Sequence, residues 1–383
     1  MHPVFVGTEG QRLATVVGSL TYTLKRTKAA VGRIARGKPR HAYAEGPPEG
    51  LSQQSLELLV RQHVGPVALT RIRHEHLSGW KRKGAFRVHL EVENGSTWSL
   101  VFKDACYNRD EIALDGLPQR PGPPEYLIHT TRTEGLASYL PEVYQCHEIS
   151  PQSHYHYLIE DLSRSHVRLR QPQLAMVVSQ ELPAIHAALE TRIGEDGSGF
   201  LRFDQEFSYS LLGYAAAALH ELASERPLPP LDAVLATWEQ LERFYTRGLV
   251  STYDRVELSP IHGDLNPTNI WADPSDPRQL RLVDWEWAGL GIPHSDLVSV
   301  CEGGSPGVER EAVQRYNAVT RCRTLEEDRS IFSWCKLQRC LSNAAYCSRQ
   351  LLEGPAIQRR FDLGRAVQQS LRNIAVILAA TSP

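Results

Sequence analysis

The 383-residue chain contains no uninterrupted apolar run of the length, about 18 residues, that a membrane-crossing helix needs. It also lacks any C-x-x-C pair. Its seven cysteines, at 106, 146, 301, 322, 335, 340 and 347, are scattered and odd in number. That excludes a disulfide framework and a zinc ribbon, and leads us to expect reduced thiols in the cytoplasm. Cys335, Cys340 and Cys347 fall in a helical stretch and read as small buried hydrophobes. An excess of one charge is missing too: 42 Lys and Arg face 44 Asp and Glu, for a net charge of −2. No global field therefore draws the chain to nucleic acid or to a membrane surface. Leu13 to Leu20 is too short and mixed for a signal peptide, and basic residues follow it rather than precede it. Internal repeats and low-complexity tracts are absent. What remains, 42% hydrophobic and 22% charged residues, is ordinary globular composition with length enough for two lobes.

Three regions follow from the patterning. Residues 1–60 form a basic extension. Leu13, Val17, Leu20, Leu24, Val31 and Ile34 recur at helical spacing, and seven Lys or Arg but no acid lie from Lys25 to Arg40. This helix is expected to pack on the neighbouring lobe with its basic face solvated, or to contact a partner or membrane surface. Gly46-Pro-Pro-Glu-Gly50 reads as a linker. Residues 61–162 form a small lobe of five antiparallel strands and one helix. The strands begin at Val67, Phe86, Trp98, Glu142 and Tyr155, Asn94-Gly95 makes a hairpin, and the helix begins at Glu125 after Pro121-Gly-Pro-Pro124. Residues 163–383 are mainly helical, with segments at 173–189, 208–223, 231–249 and 308–319 and two more after Leu325. The fold class is α+β, a two-lobed arrangement.

The chemistry concentrates in Ile261-His-Gly-Asp-Leu-Asn-Pro-Thr-Asn-Ile270 and Leu282-Val-Asp-Trp-Glu-Trp-Ala-Gly289. The first fits H-x-D-x-x-x-x-N, and the second is a short apolar strand ending in an Asp. Kinases use such a trio to bring a hydroxyl to a nucleotide γ-phosphoryl group held with Mg²⁺. Turn-rich Asp273-Pro-Ser-Asp-Pro277 separates two strands. A hairpin centred between Asp276 and Pro277 is expected to set Asn269 opposite Asp284, with Cβ atoms roughly 5 Å apart. Two oxygen ligands so placed can share a hard cation. Asp264 then orients the acceptor hydroxyl and accepts its proton, while Asn269 and Asp284 hold magnesium.

The rest of a nucleotide site is expected around Lys103, at the end of the third strand, as a point charge for phosphates. Its carboxylate partner is taken as Glu125, with Glu134 the competitor. Glu160, Asp161 and Leu162 leave the sheet and offer main-chain groups to a base. The loop Leu77-Ser-Gly-Trp-Lys-Arg-Lys-Gly84 has no G-x-G-x-x-G, and its Lys81, Arg82 and Lys83 suit either phosphate or solvent.

From about residue 67 to 300 the chain resembles the aminoglycoside phosphotransferase and choline kinase-like family of small-molecule kinases. The resemblance is strongest at His262–Asn269 and Val283–Gly289. Gly263 matches the family's H-G-D form, where protein kinases carry Arg. Gly291-Ile-Pro-His-Ser-Asp-Leu297 looks like its G-x-P-x-x-D-L element. The resemblance implies a protein kinase-like fold and γ-phosphoryl transfer from ATP or GTP, with Mg²⁺, to a small-molecule hydroxyl. It also implies that Asp296 and His262 brace the catalytic loop, and that His186 is a core histidine. No A-P-E segment follows Asp284, which argues against a protein kinase.

The resemblance places the acceptor over Asp264, walled by helices after 300. Glu286, Trp287, Trp334 and Arg339 are its candidate contacts, with Tyr346 beside them. Residues 331–352 hold no acid but contain Lys336, Arg339 and Arg349. That argues against a polycationic acceptor and for a neutral or anionic one. The alternatives are a catalytically silent kinase fold used as a binding module, and a protein kinase or nucleotidyl transferase on the same fold.

Overall fold

The computed structural model describes residues 43–77, 84–106, 124–130, 133–150, 154–194, 197, 199–225, 229–352 and 357–381. The basic segment 13–40 and the loop residues 78–83 lie outside them. The small lobe opens with β1 (Ala44–Glu45), α1 (Gln53–His63), β2 (Leu69–His76), β3 (Gly84–Val92) and β4 (Thr97–Cys106). Ser52 caps α1, its hydroxyl accepting from the Ser55 N–H at 3.1 Å. At Asn94-Gly95 the chain reverses, with Gly95 at φ 81°, a conformation that glycine adopts without strain. Next come α2 (Pro124–Thr130), α3 (Glu134–Ala137), β5 (Val143–Ser150) and β6 (His154–Glu160).

These strands form a six-stranded sheet in the order β1-β2-β3-β4-β6-β5, each neighbour pair antiparallel. The expected five strands are present, and β1 adds a sixth on the edge. Leu56, Leu59 and Val60 of α1 are buried against Val88, Leu90, Leu100, Phe102 and Leu158 on one sheet face. A helix therefore spans the 60/61 boundary read from the sequence. The leucine spacing in α1 belongs to this lobe's core.

The large lobe contains α4 (Gln173–Ile193), β7 (Leu201–Arg202), α5 (Gln205–Glu225), α6 (Pro229–Ala236), α7 (Trp238–Tyr253), β8 (Ser259–Ile261), β9 (Ile270–Ala272) and β10 (Leu280–Leu282). These are followed by β11 (Gly289–Gly291), α8 (His294–Val300), α9 (Pro306–Thr320), α10 (Leu325–Leu352) and α11 (Ile357–Thr381). The segment expected as one helix from 231 to 249 is two, α6 and α7, broken at Thr237. One apolar core runs through this lobe and takes in Ile128, Leu136 and Leu140. The stretch carrying α2 and α3 is thus packed on the large lobe, although it lies before the 162/163 boundary. The Leu282 N–H donates to the Tyr139 carbonyl at 2.7 Å, tying that stretch to β10.

The β9–β10 hairpin differs from expectation by one residue. Ile270 pairs with Leu282 and the Val283 N–H donates to the Asn269 carbonyl, so Asn269 stands opposite Val283 rather than Asp284. The turn explains the slip. Asp273 Oδ1 accepts from the Ser275 and Asp276 N–H groups, and the Asp273 N–H closes onto the Gln279 carbonyl. This fixes a tighter loop than a count centred at 276/277 supposes.

Leu56 is fully buried between α1 and the sheet. Leu56→Ala is expected to lower stability by about 2–5 kcal/mol. Urea denaturation followed by circular dichroism measures it, and a change near zero would show that α1 is not part of the small-lobe core.

Candidate active site

The loop after β8 is held by one buried carboxylate. Asp296, on α8, is fully buried. Its Oδ2 accepts from the His262 N–H at 2.7 Å and its Oδ1 from the Gly263 N–H at 2.9 Å. His186 on α4 adds a contact from Nε2 at 3.0 Å. Burial opposes charge on Asp296, but the hydrogen bond and charge of His186 outweigh it and hold the carboxyl below its usual range.

His262 is locked in a neutral tautomer by its two partners. Its Nδ1 accepts from the Asp264 N–H at 3.3 Å, so its Nε2–H donates to the Val283 carbonyl at 3.1 Å. Its ring lies 4.3 Å from that of buried Trp285, and burial lowers its pKa. Gly263 sits at φ 79°, and a Cβ there would come within 2.1 Å of the Trp287 carbonyl oxygen. Only glycine lets the loop pass this close.

Asp264 is gripped at both oxygens. Oδ2 accepts from Asn266 Nδ2 at 3.0 Å and from Asn269 Nδ2 at 3.3 Å, and Asn269 Nδ2 also reaches the Asp264 carbonyl at 2.9 Å. Oδ1 accepts from Arg339 Nη2 at 2.8 Å. With its amide nitrogen spent on Asp264, Asn269 has only its carbonyl oxygen to offer a cation. Arg339, on α10, also lies 3.7 Å from Glu302. Burial opposes the guanidinium charge, but Asp264 and Glu302 outweigh it and raise the pKa.

Across the cleft, Lys103 Nζ lies 2.6 Å from Glu125 Oε2 and 2.6 Å from Asp284 Oδ1, linking the sheet, α2 and the end of β10. Of the two carboxylates weighed for Lys103, the structure pairs it with Glu125. Glu125 is buried, and His129 Nε2 stands 3.8 Å from its other oxygen. Although burial raises it, Lys103 and His129 hold Glu125 well below the ordinary carboxylate range. Burial works against the Lys103 charge, yet Asp284, Glu125 and Glu286 raise its pKa well above normal. Asp284 leaves the ladder in the left-handed conformation, φ 66°, which turns its side chain toward Lys103. Burial, Glu286 and Glu125 push Asp284 up to about 6 despite Lys103. Glu125, Asp284 and Glu286 thus all act on Lys103, and the hard oxygen donors of Asp284 and Asn269 fit a divalent cation such as Mg²⁺.

Other expected site residues fall elsewhere. Trp334 is core: its ring lies 5.5 Å from Tyr245 and 5.8 Å from Tyr253, and its indole N–H donates to the Tyr245 carbonyl at 3.1 Å. The apolar spacing of α10 turns it inward, into the core. Tyr346 is partly buried against the same core. Trp287 and Glu286 lie in the 3₁₀ turn Trp285–Trp287, beside the loop.

Between the lobes, Asp161 is a brace. Its Oδ2 accepts from Arg87 Nε at 2.8 Å and from Ser99, and its Oδ1 from Ser163 Oγ at 2.7 Å. Glu160 accepts from Ser165 Oγ at 3.0 Å, and its N–H donates to the Glu142 carbonyl. The Asp161 and Leu162 carbonyls accept from Arg164 and His166 N–H groups. Much of the main chain expected to meet a base is therefore bonded within the protein. Sequence reasoning passed over Asn266, whose place two residues after Asp264 was a usable signal. It also missed Glu302 and Arg87, which meet their partners only through the fold.

The fold has known counterparts. It is similar to an aminoglycoside 2′-phosphotransferase solved with GDP (14% identity, TM-score 0.53, 84% of this chain and 98% of that one). It is also similar to a spectinomycin phosphotransferase solved with ADP and spectinomycin (15%, 0.51, 87% and 99%). A choline kinase from Cryptosporidium parvum Iowa II is a third counterpart (11%, 0.52, 81% and 89%). No curated protein matches the chain. The model of the phosphotransferase enzyme family matches residues 135–329, just over half of the chain, including the whole Asp264–Asp284 segment. The chain belongs to the phosphotransferase enzyme family.

Proposed function

We propose that this phosphotransferase moves the γ-phosphoryl group of ATP or GTP to a hydroxyl of a small, neutral or anionic molecule. The observation that carries the reading is the meeting of Lys103 of the sheet and Glu125 of α2 with Asp284, which directly follows the residue paired with Asn269, while Asn269 itself grips Asp264. Structures of similar fold in complex with GDP and with ADP support either nucleotide. Lys103 neutralises phosphate charge, and Glu125 keeps the ammonium in place. Asn269 and Asp284 hold Mg²⁺, which when bound supplies charge neutralisation at the phosphates. Asp264 draws the acceptor hydroxyl into line and takes its proton as the oxygen attacks phosphorus and the bond to the nucleoside diphosphate breaks. Most of the acceleration then comes from positioning and electrostatics.

Arg339 adds an element to this scheme. It fixes the Asp264 carboxylate from α10, whose residues 331–352 hold no acid. That favours sugars, nucleosides and other hydroxylated metabolites over polycations. Free thiols at Cys146, Cys301, Cys322, Cys335, Cys340 and Cys347, among the described residues, fit a reducing compartment such as the cytoplasm. No helix among the described residues is long and apolar enough to cross a membrane.

The direct test is label transfer from γ-labelled ATP and GTP with Mg²⁺ to pooled sugars, nucleosides, amino alcohols and aminoglycosides. Nucleotide binding with no labelled product from any pool would count against this reading. With the acceptor in hand, Asp264→Asn is expected to lower kcat about 10²–10⁴-fold, with nucleotide affinity nearly unchanged. An unaltered kcat would remove Asp264 from its role.

Arg339→Ala is expected to lower kcat by roughly ten- to a hundredfold, since a hydrogen bond between charged groups is lost next to the base. Arg339→Lys should recover only part, because a point charge does not reproduce the guanidinium fork. A change confined to KM would make Arg339 an acceptor contact instead.

Asp284 carries a pH signature. Its carboxylate is the cation-binding form, and its pKa is raised to about 6. Affinity for Mg²⁺–ADP is expected to be level above that pH and to fall as pH drops through it. Calorimetric titration at pH 5.5 and 7.5 reads the difference, and Asp284→Asn should abolish it.

A further inference from the structure

The small-lobe sheet has a second face, opposite the one that presents Lys103. Consecutive strand residues point to opposite sides, so Asp104 projects away from the cleft. Directly across the β4–β6 ladder from Asp104 stands His156, and His154, two residues back, lies on the same face. All three converge on one point. His154 Nε2 is 2.6 Å from Asp104 Oδ1, and His156 Nε2 is 3.5 Å from the same oxygen. The two imidazole rings are 5.0 Å apart at 83°. One nitrogen from each histidine and one carboxylate oxygen all lie within 4.8 Å of one another.

We propose that Asp104, His154 and His156 form a binding site for a borderline divalent transition-metal ion, Zn²⁺ foremost, distinct from the magnesium position in the cleft. The donor set is two imidazoles and a carboxylate, which suits Zn²⁺, Co²⁺ or Ni²⁺ and disfavours Mg²⁺. Zinc–nitrogen and zinc–oxygen bonds of about 2.0–2.2 Å put the ligand atoms of a tetrahedral set roughly 3.3 Å apart. The Asp104–His156 separation already matches this. The Asp104–His154 hydrogen bond opens by less than an ångström when the ion enters. The His154 proton then moves from Nε2 to Nδ1, leaving the Nε2 lone pair toward the metal.

The site is built on rigid parts. His156 packs edge-on against Phe102, with ring centroids 5.1 Å apart. It also lies under Gly50, where a Cβ would come within 2.8 Å of its ring. Asp104 and His154 are each about one-third exposed, with side-chain exposures of 32% and 30%, so an ion reaches them from solvent and water completes the fourth position. A bound ion ties β4 to β6 immediately behind Lys103, and so stiffens the strand that holds the phosphate-binding lysine.

The test is titration of the full chain with Co²⁺ and Zn²⁺, without nucleotide. One equivalent of Co²⁺ is expected to give the visible ligand-field absorption of a four-coordinate ion, displaced by Zn²⁺ and not by excess Mg²⁺. The absorption should be lost in His154→Ala/His156→Ala and retained in Asp284→Asn. With Zn²⁺ bound, His154 and His156 should resist acylation by diethyl pyrocarbonate, read by peptide mass spectrometry, while exposed His220, on α5 of the large lobe, reacts unchanged. This second measurement needs no variant to fold. Absence of the absorption in the unaltered chain, its persistence in the double variant, its loss in Asp284→Asn, or unprotected His154 and His156 would each overturn the proposal.

Discussion

A charged carboxylate with no exposure to water, Asp296, holds the loop after β8 in its shape. Burying such a charge is costly unless donors surround it, and here two consecutive main-chain N–H groups and the His186 ring do so. Those N–H groups belong to His262 and Gly263, the residues that lead into Asp264. The backbone is thereby fixed one residue before the side chain that faces the cleft. His262 passes the constraint on, since its Nε2–H reaches the Val283 carbonyl, beside Asp284. One buried carboxylate and one neutral histidine therefore set the spacing between the two acidic motifs.

The second constraint is a cluster of charge. Glu125, Asp284 and Glu286 all act on Lys103. Glu125 is held ionised by Lys103 and His129, whereas Asp284 is pushed up despite Lys103. The oxygens of Asp284 are hard donors of the kind a divalent cation takes. The same logic accounts for the other acid of the cleft. Asp264 is paired with Arg339 and held by two asparagines, so its surroundings differ from those of Asp284. Two aspartates twenty residues apart are thus suited to different work by their neighbours alone.

The two-lobed α+β fold was legible because its signals are local. Strand alternation, Asn94-Gly95 and the helical apolar spacing each depend on near neighbours in the chain. The loop motifs were legible for the same reason. What escaped depended on distant packing. Trp334 reads equally as a pocket wall or as core, and only the neighbouring α7 with Tyr245 and Tyr253 decides it. The lobe boundary drawn at 162/163 missed that Ile128, Leu136 and Leu140 seek the larger core. Nothing in a linear pattern marks which of two cores a short helix joins. Asp161 was read for its main chain, whereas its side chain binds Arg87, seventy-four residues earlier.

The one-residue slip in the β9–β10 hairpin shows how turn geometry and packing reshape a regular element. Had Asn269 and Asp284 been direct partners, both side chains would have left the ladder on one face with fixed β geometry. Instead the ladder ends at Val283, and Asp284 takes a left-handed backbone conformation that an aspartate tolerates better than most residues. That turn aims its carboxylate at Lys103 of the opposite lobe, and it starts the 3₁₀ turn that carries Glu286 and Trp287. The strain has a return: the Trp287 carbonyl then packs on Gly263, where no side chain would fit. The left-handed Asp284 and the left-handed Gly263 are therefore parts of one arrangement, each conformation leaving room for the other motif.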